Sequence, residues 1–360
     1  MKRIFAMCLA LIMVLFVFAS CGKKVDNPID ESDTGETPNE SDVIVTPGIE
    51  TPPATEAPKE TDPPVVVTQE YVEFGSYPQT LVNNEDVIKA LEEAAGELPT
   101  ASAAGKWQSY RYLSAGEKSD FMFYIDLEHE GAKYRGVYML EYRSYDPTVA
   151  VSTDLTFQDD NGYEVNKAYW FKYEPIKWRI LEDKEGNALI FAETILDAQP
   201  FAVAQSCDYK ASDIRDWLNT SFYETAFNAA QKELIVTTKV ANGADTTNDM
   251  MNVNVCDDTD DDVFLLSYAD VLNTAYKFTS SSDLVKPVTD YSAAQGLFVK
   301  ADAGQWWLRS PDGVDAARVS RVKPEGDVGV NKTHILSVGV VPALTLNIKD
   351  IAASAESAEN

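Results

Sequence analysis

An α+β fold dominated by antiparallel strands is what the 360-residue sequence predicts. Three observations carry that expectation. Strand-like runs follow one another directly, with turn residues between them, as at Glu130-Gly131 and Lys184-Glu185-Gly186-Asn187. The helical patterns are short and gathered in the middle of the chain, so the regular strand–helix–strand alternation of a parallel sheet is missing. Hydrophobic residues make up 45% of the chain and aromatics 11%, which is enough to fill a sizeable core.

The chain opens with Met1-Lys2-Arg3, an apolar run from Ile4 to Phe18, and Ala19-Ser20-Cys21-Gly22. A basic start, a short apolar stretch and small residues at its end are the features of a secretory signal peptide, and the stretch is too short for a stable membrane span. Phe18-Ala19-Ser20-Cys21 resembles a bacterial lipobox, with Phe where Leu is commoner. The resemblance implies a signal peptide over 1–20, cleavage before Cys21, lipidation of the Cys21 sulfur, and anchoring to the extracytoplasmic face of the cell membrane. Residues 21–68 are rich in Pro, Thr, Glu, Asp and Ser and hold little that can be buried. They read as a disordered acidic tether. Extended at about 3.1 Å per residue, such a tether reaches roughly 100 Å or more. The globular domain is expected over 69–349, followed by a disordered tail over 350–360.

Within the domain, Tyr71 to Gln79 reads as a strand closed by Gly and Pro. Asn84 caps a helix whose Val87, Ile88 and Leu91 form one apolar stripe, ended by Gly96. Phe121, Phe123, Ile125 and Leu127 alternate with more polar residues, and a partner strand follows around Tyr134 to Tyr142. Asp159-Asp160-Asn161-Gly162 reads as a hairpin turn with Asn-Gly at its tip. A strand bearing Ile176, Trp178 and Ile180 returns as Ala188 to Ile195. Ser212 caps a helix with Ile214, Trp217 and Leu218 on one face, Ser221 starts a further helical turn, and Asn228 to Gln231 forms a capping box. Val236 to Val240 is extended, 241–262 is a long polar loop, and Val263 to Leu266 is a strand. Ser267 opens the next helix. Strands around Ala316 to Val322 and Val338 to Ile348, with a Pro324-Glu325-Gly326-Asp327 turn between them, close the domain.

Trp306-Trp307-Leu308-Arg309-Ser310-Pro311 is the densest aromatic motif. Alternation along a strand predicts one indole in the core and the other near the surface with Arg309. This motif stands in order after Phe74-Gly75-Ser76-Tyr77-Pro78-Gln79, Ile176-Lys177-Trp178-Arg179-Ile180-Leu181, Ile214-Arg215-x-Trp217-Leu218-Asn219 and Val263-Phe264-Leu265-Leu266-Ser267. Together these motifs, spread over 71–348, resemble the DUF6273 family, a domain of unknown function in exported bacterial proteins. The family's ending usually reads Gly-Val-Arg-Pro-Ala-Leu, whereas here it is Gly339-Val340-Val341-Pro342-Ala343-Leu344, so an Arg that contributed to a shared site would be missing from this copy. The C-terminal part also looks like C-type lectin-like domains, which implies a twisted antiparallel sheet, flanking helices at one side and long loops.

The net charge of −28 excludes the basic footprint of a nucleic-acid-binding protein. Phosphate-cradling Gly motifs and Cys-x-x-Cys zinc pairs are absent from the sequence. The two histidines, His129 and His334, are expected on an exposed strand or loop rather than in a catalytic triad. Asp257, Asp258 and Asp260 belong to an acidic cluster that would suit Ca²⁺, the single cofactor considered, but the calcium-loop spacing is missing and a solvated acidic loop is the alternative. Cys207 and Cys256 either form a disulfide or remain free. Trp306, Trp307, Arg309, Asp312 and Asp315 are the candidate ligand-binding residues, with the Asp312-Gly313-Val314-Asp315 loop free to meet a partner. Arg309 has a second reading, as a lock that bonds backbone carbonyls. Three functions fit: a surface-anchored binding or adhesion module for a glycan, wall polymer or protein; a carbohydrate- or wall-modifying hydrolase using Asp or Glu; and a structural lipoprotein without a small ligand. Convergence of 241–262 with 310–315 on one cleft would favour the first.

Overall fold

The computed structural model of the chain describes residues 66–68, 70–110, 122–143, 145–146 and 158–349. The 1–20 leader, Cys21, nearly all of the 21–68 tether, Phe121 and the 350–360 tail lie outside the described residues. What is described is an α+β arrangement of helices and mostly antiparallel sheets.

The first strand, β1, runs from Tyr71 to Leu81 and bulges between Glu73 and Ser76. Gly75 sits in the bulge at φ +69°, and a Cβ there would lie 2.5 Å from the Phe227 ring, so both conformation and contact require glycine. Helix α1 (Glu85–Ala95) begins as its sequence predicts: the Asn84 side chain accepts from the Asp86 and Val87 N–H groups. Its buried Leu91 and Ala95 join Trp107, Phe123, Ile125, Tyr134, Tyr138 and Trp170 in a small core. Strands β2 (Met122–His129) and β3 (Ala132–Met139) are joined through Glu130 and Gly131, both at positive φ, the geometry of a primed hairpin turn. Glu185 and Gly186 turn the long β4 (Ala168–Lys184) into β5 (Asn187–Ala192) in the same way. One side of β4 carries β1, while the other pairs first with β3 and then with β5.

After the two-residue β6 (Asp197–Ala198) comes a helical segment. It consists of α2 (Asp213–Trp217), a π-type turn over Leu218–Phe222, and α3 (Tyr223–Ala226). The Ser212 cap and the Asn228 capping box of α4 (Ala229–Lys232) are both present. Strand β7 (Ile235–Val236) completes an antiparallel sheet in which β5, β14 (Ala343–Asn347) and β7 are neighbours. The stretch 241–262 is more ordered than a loop, because β8 (Thr238–Val240) and β9 (Thr259–Asp261) form a hairpin at its base. Val263 to Leu266 contributes only an isolated bridge, Phe264 to Ala343, rather than a strand. Short helices α5 (Tyr268–Val271) and α6 (Asp290–Ala294) follow, each with a capping box. Asp159 to Gly162 is a turn, and Asn161 Nδ2 donates to the carbonyls of Ala293 and Leu297 and pins it to the end of α6; the arm of a hairpin that would precede it lies outside the described residues.

A second sheet places β12 (Val328–Lys332), β11 (Arg318–Val322), β10 (Trp306–Pro311), β13 (Gly339–Val340) and β6 side by side. Its β10–β13 pair is parallel, an exception to the antiparallel rule. The expected closing strand breaks at Val341-Pro342, and its halves, β13 and β14, belong to different sheets. All six residues of β10 are buried. Trp306 packs on Phe191 and Trp307 on Phe201, so the strand is covered on both faces. The expectation that one indole lies near the surface fails for that reason: alternation separates two faces, but here neither face is wet.

Candidate binding pocket

A cavity of about 280 Å3 lies where seven parts of the chain meet. Tyr77 of β1, Tyr124 of β2, Arg135 of β3, the segment Gln108 to Tyr110, Asp197 of β6 with Gln199, and Tyr291 of α6 supply most of the wall. Trp217, Ser221 and Thr225 complete it, four residues apart across the π-type turn and therefore on one helical face.

Two buried charges define its chemistry. Arg135 donates from Nε and Nη2 to both oxygens of Asp126, at 2.8 and 2.7 Å, a bidentate pair that fixes the guanidinium plane. The plane lies over the Tyr124 ring, 4.5 Å from its centroid, and Nη1 reaches the Tyr291 hydroxyl at 3.4 Å. Burial works against the Arg135 charge, but Tyr291, Tyr173 and Asp126 outweigh it and hold the group protonated. Asp197, facing the same cavity, accepts the Tyr77 hydroxyl at 2.6 Å on one oxygen, and the Ala198 N–H and Gln199 Nε2 on the other. Burial pushes the Asp197 carboxyl up to about 6, against the lowering effect of those hydrogen bonds. Burial, and then the Asp197 charge, push the Tyr77 hydroxyl well above its ordinary range, so Tyr77 keeps the proton of the pair. The Tyr291 and Tyr110 hydroxyls are 2.9 Å apart, and Gln295 Nε2 donates to Tyr110. The result is a wall of aromatic faces with hydrogen-bonding groups fixed between them.

The residues singled out in the sequence sit elsewhere. Trp306 and Trp307 are fully buried, and their indole N–H groups donate to the carbonyls of Leu284 and Gln199. Neither ring has a face open to a ligand. Arg309 acts as the lock of its second reading: it donates to the carbonyls of Ala241 and Leu265 and pairs with Asp270 at 2.8 Å. Asp312 and Asp315 cap their own loop, with Asp312 accepting the Val314 N–H and Asp315 pairing with Arg318. The 241–262 and 310–315 stretches do meet, through Asn252 Nδ2 to the Pro311 carbonyl and Asn254 Nδ2 to the Asp312 carbonyl, but they are zipped together rather than parted by a cleft.

The three residues of the calcium reading are given separate surroundings. Lys210 takes Asp257, Lys239 takes Asp258, and alternation along β9 turns Asp260 outward beside the buried Asp261, which pairs with Arg215. Among the described residues, no three His, Cys, Asp or Glu side chains are grouped to hold a metal ion. Cys207 and Cys256 are free thiols rather than a disulfide, the Cys207 sulfur being directed at the Asn254 carbonyl at 3.7 Å. Burial pushes the Cys207 thiol up to about 11, which leaves it unreactive. His334 is buried, against expectation, with Nε2 3.2 Å from Asp146.

One signal for the pocket was present in the sequence. Asp197 and Gln199 interrupt the apolar run Ile195 to Phe201, and a polar residue in such a run must find a buried partner. Tyr110, Tyr124, Arg135 and Tyr291 carry no comparable mark.

Residues 185–348 match the model of the DUF6273 family, described as a domain of unknown function. The match takes in Asp197, Gln199, Trp217, Ser221, Thr225 and Tyr291, while Tyr77, Tyr110, Tyr124 and Arg135 precede it. The motifs at 74–79 and 176–181 also fall outside the matched span. Val341 is fully buried. No curated protein and no solved structure matches the chain.

Proposed function

We propose that this protein is a surface-displayed binding module whose tyrosine-lined pocket takes a small polar ligand of saccharide type. The coexistence of aromatic faces with two pre-oriented buried charges, Arg135 and Asp197, in one cavity carries this reading. A sugar offers C–H faces to aromatic rings and hydroxyls to carboxylate, amide and guanidinium groups. The wall supplies all of these from Tyr124, Trp217, Asp197, Gln108, Gln199 and Arg135. At about 280 Å3 the cavity is at the small end of ligand pockets, so it suits one ring or a chain end rather than an extended polymer. A lipid anchor at Cys21 and the 21–68 tether would hold the module away from the membrane. A C-type lectin-like arrangement, in which loops and sheet ends present the site, is consistent with this use.

A hydrolase is the second reading, favoured by the Asp197 carboxyl at about 6, a value suited to a general acid near neutrality. Glycosidic cleavage ordinarily needs two carboxyl groups across the bond, roughly 5–9.5 Å apart. Among the described residues lining the cavity, Asp197 is the single carboxylate, and this favours binding over cleavage.

The test is a glycan and wall-fragment array probed with the protein and with its Tyr124→Ala variant. Binding to a defined saccharide, weakened about tenfold by loss of the ring, is expected. A folded protein that binds no saccharide would end this reading, and cleavage of a bound one, abolished by Asp197→Asn, would replace it with the second.

A further inference from the structure

The zipped loops that fail to form a cleft present something else. Met250, Met251, Val253 and Val314 are 70, 82, 85 and 94% exposed. Isolated exposed apolar residues are ordinary, but four on two abutting loops are not. Asp249 and Gly313 bring the loops together, since a Cβ on Gly313 would lie 3.2 Å from an Asp249 carboxyl oxygen. The frame beneath is heavily hydrogen-bonded. Thr247 Oγ1 accepts the Asp249 N–H, Asp249 Oδ1 accepts the Met251 N–H, and Asn252 Oδ1 accepts the Asn254 N–H. Asn252 and Asn254 then reach across to the Pro311 and Asp312 carbonyls, and Ser310 Oγ reaches back to the Thr246 carbonyl. Bare apolar side chains on an ordered frame lose little further freedom when covered, which is how a recognition surface is prepared.

We propose that the loops 247–254 and 311–315 form a docking knob for a protein partner whose receiving surface is apolar at its centre and rimmed by lysine or arginine. Charge selects this occupant. Asp245 is exposed beside the knob, Asp249, Asp312 and Asp315 lie in it, and the nearby cations Arg318 and Lys210 are already paired with Asp315 and Asp257. An acidic rim repels an anionic lipid surface, and loops that insert into such surfaces carry basic residues instead. A second copy docking knob to knob would oppose two acidic rims. A basic-rimmed socket meets both features, and the two methionines adapt to its shape. The knob is separate from the tyrosine pocket and does not depend on it.

The experiment places a photo-crosslinking amino acid at Val314 of the full chain displayed on its own cells, and identifies the cross-linked species by mass spectrometry. The purified protein so identified is then titrated with wild type and with the triple variant Met250→Ser, Met251→Ser, Val314→Ser. The expected result is one protein bound through an apolar, basic-rimmed surface, weakened tenfold or more by the triple variant and weakened by added salt, with Asp197→Asn binding unchanged. Cross-links to lipid, to a second copy of this chain or to nothing would each overturn the proposal. So would a protein partner whose affinity ignores the triple variant.

Discussion

The tryptophan strand and the tyrosine pocket are both aromatic and both buried, yet they do opposite things. On β10, each indole has one polar hydrogen, and a backbone carbonyl takes it: Trp306 uses Leu284 and Trp307 uses Gln199. Trp178 does the same with Phe74. Nothing is left to offer a ligand, and the rings pack against Phe191, Phe201 and Phe227. A tyrosine hydroxyl both donates and accepts, so one partner does not exhaust it. Tyr77 with Asp197, Tyr110 with Tyr291, and Tyr173 with Asp126 therefore build a network around space instead of closing it. Whether a buried aromatic serves the core or a site depends here on how much hydrogen-bonding capacity remains after packing.

The contrast can be broken most directly on the tryptophan side. Trp307→Ala should lower unfolding free energy by about 3–5 kcal/mol, measured by denaturant titration, because a fully buried indole leaves a large cavity. A loss below about 1 kcal/mol would mean the ring is not an anchor.

Next in size is the pH response of Asp197. Its folded carboxyl titrates at about 6, above the ordinary carboxylate value, so the folded state favours the protonated form. The stabilisation is therefore full below about pH 4 and is lost as pH rises through about 6. Asp197→Asn should remove this slope and leave the variant more stable than wild type at pH 7.5, by at most about 2–3 kcal/mol. Parallel stability–pH curves for the two proteins would contradict the buried-carboxyl assignment.

Arg135→Met should cost about 2 kcal/mol. That is below the usual figure for breaking a buried pair, because the Asp126 side chain stays partly open to water. It should also remove saccharide binding. Retained binding would show that the guanidinium only supports the wall. Smallest is Tyr110→Phe, which deletes one hydroxyl of the network for about 1 kcal/mol and should leave the core aromatics undisturbed.

Charge placement shows why some features were legible and others were not. The Asn84, Ser212, Asn228 and Ser267 caps could be read because each depends on residues two or three positions away. The acidic run at 257–262 was legible as acidic but not as dismantled. Its partners Lys210, Lys239 and Arg215 lie outside the run and reach it only through the fold. Lys286 is a stronger case. It sits fully buried over Phe191 with Nζ on the Ala192 carbonyl, and nothing near it in the chain predicts so dry a lysine.

The sequence by itself determined the α+β class, the turns at 130–131 and 185–186, the helix starts and the strongly acidic balance of charge. These depend on local backbone preference or on total charge, which need no long-range contact. The tertiary structure alone decided that β10 is dry on both faces, that Asp197 and Arg135 share a cavity with four tyrosines, and that 247–254 and 311–315 meet as a knob. Each of these joins residues far apart in the chain. Burial at a point in space is a sum over everything packed around it, and no window of sequence contains that sum.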